Sequence, residues 1–399
     1  MLLAHAVAIA TTLITIAGLF YFLLALWATR AYSHSRRAPA PSAYPSVSIL
    51  KPVKGVDAGM YKAFASHCQQ EYSGDYEIIF GVRSMQDDVV ALIQRLQTEF
   101  PDCKIRLLIC PDTLGPNGKI GTLMQMLPQA RFDHLLINDG DIRVSAKYLC
   151  NVMRRFSSGS NPSTKKSSRA VGMVTALYRG RSHGTLGSKL EALGIATDFM
   201  PGVLMARWIE KGIHFGMGST LAMSRTALDA IGGLAPVLEY LGDDYELGKR
   251  ISRAGFRVVL AREVVETSIP AYRFRQFVDH QLRWARNLRD ARKAGYWGML
   301  ITYGLPWAFI NVITNGASLP SLALLSLTLA ARVALALSVG VGVLNDGQVL
   351  RDLWLLPLRD FVALGIWCWS FADDHIIWRG ERFLLRNGKL TKIQRHASL

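Results

Sequence analysis

Two carboxylates one residue apart, Asp139 and Asp141, end the run Leu135-Leu136-Ile137-Asn138. An apolar strand that stops at Asp-Gly-Asp sets two anions at a sheet edge, where each raises the cost of ionising the other. A cation between them resolves this. Mg2+ or Mn2+ suits the position, because either ion takes hard oxygens from carboxylate and diphosphate together. The competing reading is a turn, for which Asp-Gly is common. Asp243-Asp244-Tyr245-Glu246 opens a helix, and Asp243 with Glu246 fits a capping box. That leaves Asp244 without a structural task. In the first helical turn it stays ionised at neutral pH, which suits a general base taking a proton from an alcohol. On a basic helix at 273–293, His280, Arg283 and Trp284 share one face. Arginine beside an imidazole can hold a diphosphate, and Trp can floor a sugar or acceptor pocket. An interfacial helix, its basic side extended by Arg286, Arg289 and Arg292, explains the same residues.

Weaker signals accompany these. Lys119, after Asn117-Gly118, is a phosphate contact or a solvated lysine. Asp87 and Asp88 at a helix start are ligands or caps. Phe215-Gly216-Met217-Gly218-Ser219-Thr220 runs into Leu221-Ala222-Met223, so a ligand can approach the backbone at Gly218 and Ser219. His67, His134, His183 and His214 lack metal-ligand spacing and read as structural.

The elements that must position these residues follow a rhythm. Strands are expected at Val47–Leu50, running into Lys51-Pro52, at Tyr76–Val82, at Ile105–Cys110 and at Leu135–Ile137. Helices fall between them at about 58–70, 87–100 and 119–127. This alternation predicts a parallel sheet with crossover helices, and ligands in such sheets bind beyond the carboxyl ends of the strands. Those ends carry Lys51, Arg83 with Asp87, and Asn138-Asp139. The second half is less regular: a strand at Val171–Ala176, an amphipathic helical region at 186–206 with Pro201 near its end, and the helix after Gly242.

The chain has 399 residues, 50% of them hydrophobic, and a mean hydropathy of +0.19. The apolar excess is local. Residues 1–29 and 295–331 contain no Lys, Arg, Asp or Glu, and about 20 apolar residues span a bilayer. Residues 1–29 lack a basic start and are too long for the apolar part of a cleavable signal, so they read as an anchor. A net charge of +16 raises the question of nucleic acid. Its placement answers it: Arg30, Arg36 and Arg37 follow the first span, and Arg379, Arg382, Arg386, Lys389, Lys392 and Arg395 crowd the tail. Basic flanks mark the cytoplasmic side and an anionic lipid surface, and no nucleic-acid motif accompanies them. Five cysteines without a C-x-x-C fit reduced thiols rather than a disulfide framework. The sequence divides into an anchor (1–29), a linker (30–45), a cytoplasmic domain (46–294), membrane segments (295–375) and a basic tail (376–399). Ser157–Ser168 reads as a surface loop. Apolar segments near 297–315, 319–344 and 353–372 put the tail outside if all three span, against the positive-inside preference. The segment 297–315, broken by Pro306, is the interfacial candidate. Arg359-Asp360 marks either a buried functional pair or a short span.

In order, Asp87, Asp139-Gly140-Asp141, Asp244 and the x-x-Arg-Trp ending at Trp284 resemble the D, D, D, (Q/R)xxRW pattern of inverting family 2-type membrane glycosyltransferases. The block Ser48-Ile49-Leu50-Lys51-Pro52-Val53-Lys54-Gly55-Val56-Asp57 is closer still to the ceramide glucosyltransferase family. So are Asp141-Ile142-Arg143-Val144 and Trp378-Arg379-Gly380-Glu381-Arg382-Phe383. Among bacterial members the chain looks most like the hopanoid-biosynthesis branch, hence a bacterial inner membrane. The resemblance implies an α/β GT-A fold with N- and C-terminal transmembrane helices, a UDP-sugar donor and a membrane-lipid acceptor of ceramide or hopanoid type. It assigns the nucleotide to Asp87 and the metal-diphosphate to Asp139 and Asp141. Asp244 becomes the base, and Arg283 and Trp284 close the diphosphate and acceptor side. Lys51, Pro52, Lys119 and His280 join the donor side, and Gly218 and Ser219 the acceptor side. His280 departs from the pattern, standing where Gln or Arg is usual. A processive polysaccharide synthase shares these motifs but needs a pore. A non-catalytic nucleotide-sugar-binding protein has no need of Asp244, and the large polar block argues against a transporter.

Overall fold

The computed structural model describes residues 2–35, 40–157, 169–378 and 381–393. Arg36, Arg37, Arg379, Arg395 and the Ser-rich stretch beyond Ser157 lie outside them. The chain forms two compact units, each discontinuous in sequence. One comprises Met1–Ser35, Gly180–Ile209 and Ala271–Asn387; the other comprises Arg36–Arg179, Glu210–Pro270 and Gly388–Leu399. The helical region after Gly180 and the basic helix therefore group with the apolar helices, and not with the sheet that flanks them in sequence.

The second unit is built on a sheet of β1 (Val47–Pro52), β2 (Tyr76–Val82), β3 (Ile105–Ile109), β4 (His134–Ile137), β5 (Val171–Arg181), β6 (Leu221–Ser224) and β7 (Arg257–Ser268), in the order β3-β2-β1-β4-β6-β5-β7. The first four strands are parallel, as the alternating pattern requires. Ile49, Leu50, Ile78, Ile79, Phe80, Leu135 and Leu136 are fully buried, and each such side chain contributes about 1.5–3 kcal/mol. In the helix Val89–Glu99, Val89, Val90, Ile93 and Leu96 are buried. β6 is antiparallel to β4, with Ile137 opposite Leu221. This register is decisive: it sets the residues just before β6, Gly218 and Ser219, beside those just after β4, Asn138 and Asp139. β7 had no sequence signal strong enough to mark it. Its charged residues Arg262, Glu263 and Glu266 interrupt the apolar alternation.

The first unit holds two helices long and apolar enough to cross a membrane, Leu2–Ser33 and Leu319–Val343. The first packs through small residues: a Cβ on Gly18 would lie 2.6 Å from Gly304 Cα. Such close backbone approach is how helices associate where lipid removes the hydrophobic drive. Thr12 Oγ1 donates to Asn311 Oδ1 at 2.7 Å across the same contact. The segment expected to break at Pro306 breaks instead at Tyr303, between helices Lys293–Thr302 and Gly304–Thr314. Pro306 sits in the first turn of the second helix, where no intrahelical N–H is missed.

Pro201 lies within helical structure, as expected for 186–206. Helical structure runs from Leu186 to Ile209, with a π-helical turn at Ile195–Phe199 just before the proline. Pro201 offers no N–H to the carbonyl of Thr197 four residues earlier, and that oxygen accepts from Arg332 Nη1 at 2.8 Å instead. Arg332, buried in the Leu319–Val343 segment, also grips Asp360 through Nε (2.8 Å) and Nη2 (2.7 Å) and Asp198 through Nη2 (2.5 Å). Arg359 lies 3.2 Å from Asp198. Arg359 and Asp360 are both buried, each facing a partner in protein, on a helix of 14 residues (Leu356–Trp369) that is also short for a span.

Candidate active site

The site belongs to the sheet unit and starts where β4 ends. Asn138 is fully buried, and its Nδ2 donates to Ser219 O at 2.6 Å and to Tyr148 Oη at 2.9 Å. This ties the Asp139 turn to the glycine-rich loop. Asp139, its side chain 43% exposed, pairs through Oδ1 with Lys119 Nζ at 2.6 Å. Lys119 reaches Asp243 Oδ2 at 3.5 Å as well. A lysine in the first turn of a helix (Gly118–Met126) opposes the helix dipole. Here the carboxylates outweigh it. Burial works to lower the Lys119 pKa, but Asp139 and Asp243 overcome it and hold the ammonium above the usual lysine range. Lys119 is therefore neither solvated nor free.

Asp243 is not a cap. The N-cap of helix Asp243–Arg253 is Gly242 and makes no side-chain bond, while Asp243 Oδ1 accepts from Asn117 Nδ2 at 3.3 Å. The expected capping box is absent because Asp243 is spent on Lys119 and Asn117. Asp244 accepts from Gly218 N at 2.7 Å and from Tyr245 N at 2.8 Å. Its helix lies directly on the glycine loop: a Cβ on Gly248 would sit 2.2 Å from Gly216 N. Burial, and then the Asp243 charge, push the Asp244 carboxyl up to about 6, against Lys119 and those two backbone donors. It is ionised at neutral pH and lies close enough to it to exchange a proton.

Gly218 shows what these carboxylates share. A Cβ there would lie 3.1 Å from Asp139 Oδ2, 3.3 Å from Asp244 Oδ2 and 3.7 Å from Lys119 Nζ. The two aspartates line one space, left open by a missing side chain. Asp141 points elsewhere. Its Oδ2 accepts from Thr267 Oγ1, and burial, then Asp139, push its carboxyl up to about 6. Lys51 was expected at the strand end with its charge toward the donor. It is fully buried, donates to Asp139 O at 3.3 Å, and burial lowers its ammonium to about 7 despite Asp141 and Asp139. It supports the Asp139 turn. Pro52 closes β1. Asp87 Oδ1 accepts from Gly55 N (2.8 Å) and Val89 N (3.1 Å), joining the loop after β1 to the helix after β2.

Among the described residues no three His, Cys, Asp or Glu side chains converge as a metal cage. Divalent ions at diphosphate sites take one or two carboxylates and draw their remaining ligands from phosphate and water. Asp139 Oδ2, facing the Gly218 space, fits that donor set. Asp141, turned to Thr267, stands behind it.

His280, Arg283 and Trp284 lie in the other unit, on helix Phe274–Ala291. His280 Nδ1 is 3.0 Å from Glu191 Oε2, a partner that no local motif announced. His67 is fully buried, its ring nitrogens near Ala63 O and Asn138 Oδ1, and burial holds its pKa well below the usual value. His214 Nδ1 meets Ser252 Oγ at 2.8 Å.

A parallel sheet continued by antiparallel strands, with Asp-Gly-Asp at the end of its fourth strand, is the GT-A glycosyltransferase fold. The chain belongs to Glycosyl transferase family 21, which it matches over residues 10–391. Among curated proteins, Ceramide glucosyltransferase 3 of Caenorhabditis elegans is 26% identical over 69% of this chain and 59% of its own length. Ceramide glucosyltransferase 1 of the same organism is 23% identical over 89% of this chain and 74% of its own. The match thus spans less than two thirds of the former relative. Among solved structures, the mannosyltransferase PcManGT from Pyrobaculum calidifontis, in complex with GDP-Man and Mn2+, covers 92% of this chain and 99% of its own. Its TM-score is 0.54 at 19% identity, a likeness of fold.

Proposed function

We propose that this protein is an inverting hexosyltransferase that moves one sugar from a UDP-sugar to the hydroxyl of a membrane lipid of ceramide or hopanoid type. One observation carries the reading: Asp139 and Asp244 line the same space at Gly218, one carboxylate able to serve the leaving diphosphate and the other the attacking alcohol. Family membership and the curated relatives support the sugar-to-lipid chemistry. The two long apolar helices support membrane attachment, in our reading to a bacterial inner membrane with the sheet unit on the cytoplasmic side.

In this mechanism Asp244 takes the proton of the acceptor hydroxyl as its oxygen attacks the anomeric carbon. The bond from that carbon to the diphosphate breaks, UDP departs with the electron pair, and the configuration inverts to β. A divalent metal held by Asp139, backed by Asp141, would supply charge neutralisation at the departing diphosphate. Lys119 adds fixed positive charge, and stabilising charge where it develops is usually the largest catalytic contribution. Asp87 holds the nucleotide. Gly218 and Ser219 let the acceptor approach the backbone.

Mass spectrometry of lipids made by the purified protein, offered each lipid alcohol with each UDP-sugar, tests this. The expected product carries one sugar per lipid. Extended chains would favour a processive synthase, and no glycolipid from any pair would remove the reading.

A further inference from the structure

The residues just before Asp243-Asp244 are held from two sides, and one side comes from the far end of the sequence. The chain leaves the sheet unit at Pro270 and re-enters it at Gly388. There the short strand Lys389–Lys392 begins, and Lys389 faces Tyr240 in an antiparallel bridge. Leu241 N donates to Gly388 O at 3.0 Å and Leu390 N to Glu239 O at 2.7 Å, one on each side of that facing pair. Leu390 is 4% exposed. Gly388 has φ +77°, which glycine adopts without strain, and a Cβ there would lie 3.4 Å from Tyr240 Cδ1. The Lys389 ammonium stands 5.6 Å from the centre of the Tyr240 ring, and Arg250, on the helix Asp243–Arg253, stands 5.6 Å from the same ring. Lys389 also meets Glu239 at 2.8 Å, but both side chains are about half exposed and such pairs contribute little. The backbone pairing and buried Leu390 do the holding.

The other side is Asn117. Its N donates to Leu238 O at 3.2 Å, and its Nδ2 donates to Tyr240 O at 2.8 Å. Successive carbonyls therefore bond in alternation: Leu238 and Tyr240 to Asn117, Glu239 to Leu390. Asn117 is fully buried and caps the helix Gly118–Met126, its Oδ1 accepting from Ile120 N at 3.1 Å. That helix carries Lys119, the partner of Asp139 and Asp243. A short segment is thus bonded along one edge to the element that carries Lys119 and along the other to residues 388–390. It runs directly into Asp244. Clamped on both edges, it has little freedom to slide, and a displacement of about 1 Å at a reacting group can cost about a hundredfold in rate.

We infer that residues 388–392 position the base: they clamp residues 239–241 against Asn117 and so fix Asp244 beside Asp139 and Gly218. Leu390 is a positioning residue that acts through this segment, and no bond is made or broken there. The inference rests on the reading of Asp244 as the base and adds the element that sets it.

The test uses full-length protein in lipid nanodiscs with Mn2+, UDP-glucose and ceramide or another long-chain lipid alcohol. Leu390→Asp places an unpaired charge at a buried position and releases the strand. The kcat is expected to fall about tenfold or more. Affinity for UDP-glucose and the number of donor sites per molecule, both read by calorimetry, stay at wild-type values. Leu390→Met keeps the apolar contact and should hold kcat within about threefold. Hydrogen exchange gives a readout independent of turnover: amides in 239–246 lose protection in Leu390→Asp while those of Val47–Pro52 keep theirs. Wild-type protein that glycosylates no acceptor sinks the proposed function, and exchange still judges the clamp. Unchanged protection at 239–246 overturns the inference, and so does a kcat within about threefold of wild type. A number of donor sites that falls in step with kcat overturns it too, because residues 388–392 would then serve folding alone. Should Leu390→Asp not fold, Leu390→Ala, which buries no charge, carries the same expectations.

Discussion

Replacing Asp244 by Asn removes a charge and keeps the shape, and the structure sets two opposing effects on stability. Burial and Asp243 raise the native carboxyl from the usual 3.8 to about 6. Keeping it ionised at pH 7 therefore costs on the order of 3 kcal/mol relative to the unfolded chain. The sign is that of a raised carboxyl: the cost is absent below the unfolded value, grows as pH rises, and is complete above the folded one. Asn escapes it. But Asp244 spends both oxygens, one on Gly218 N at 2.7 Å and the other on Tyr245 N at 2.8 Å, and Asn has only one to offer. Losing a charge-assisted hydrogen bond costs about 1.5–3 kcal/mol. The two nearly cancel, so the thermal midpoint should move by no more than a few degrees, on the order of 1 kcal/mol net. Catalysis has no such offset. A general base contributes about a hundredfold to ten-thousandfold, and transfer should fall by that factor with UDP-sugar affinity intact. Product by mass spectrometry and donor affinity by calorimetry read the two arms. Transfer that stays within about threefold of wild type would remove Asp244 as the base, since general-base loss is far larger. An equal fall in donor affinity would move it into the donor site.

Other consequences are as direct. Because the base must be ionised and its native value is about 6, kcat/KM for the wild type should fall about tenfold per pH unit below 6 and level off above neutrality; a plateau reaching down to pH 5 speaks against Asp244. Asp139→Ala should abolish the metal dependence of UDP-sugar binding, and binding that still responds to Mn2+ in calorimetry would refute the ligand assignment. Arg332→Met strands Asp360 without its partner and leaves Asp198 with Arg359 alone, a loss on the order of 3–5 kcal/mol. Thermal unfolding in detergent should drop well below wild type; an unchanged midpoint would mean that those carboxylates find water.

What could be read from the chain was what neighbours in sequence encode. Apolar alternation and periodicity drew the parallel strands and the helices between them. Long uncharged runs drew the long apolar helix at Leu2–Ser33, and residue type at fixed spacing singled out Asp139, Asp244 and the Arg-Trp pair. Local rules also misled where a distant partner prevailed. Asp243 has the composition of a cap, yet Lys119 and Asn117, more than a hundred residues earlier, claim it. Pro306 has the form of a helix break, yet a first-turn position accommodates it. Strand β7 hid behind charged residues.

Tertiary structure alone decided which side chains share a space. The antiparallel register of β6 on β4 carries Gly218 to Asp139, and the seating of Gly248 on Gly216 carries Asp244 to the same place. Lys119 meets Asp139, Lys51 reaches the Asp139 carbonyl, and Glu191 reaches His280 across 89 residues. Sequence fixes a residue's chemistry and its local conformation, because both depend on atoms a few bonds away. A carboxylate's charge, its partner and the cavity it lines depend on atoms brought near only by folding.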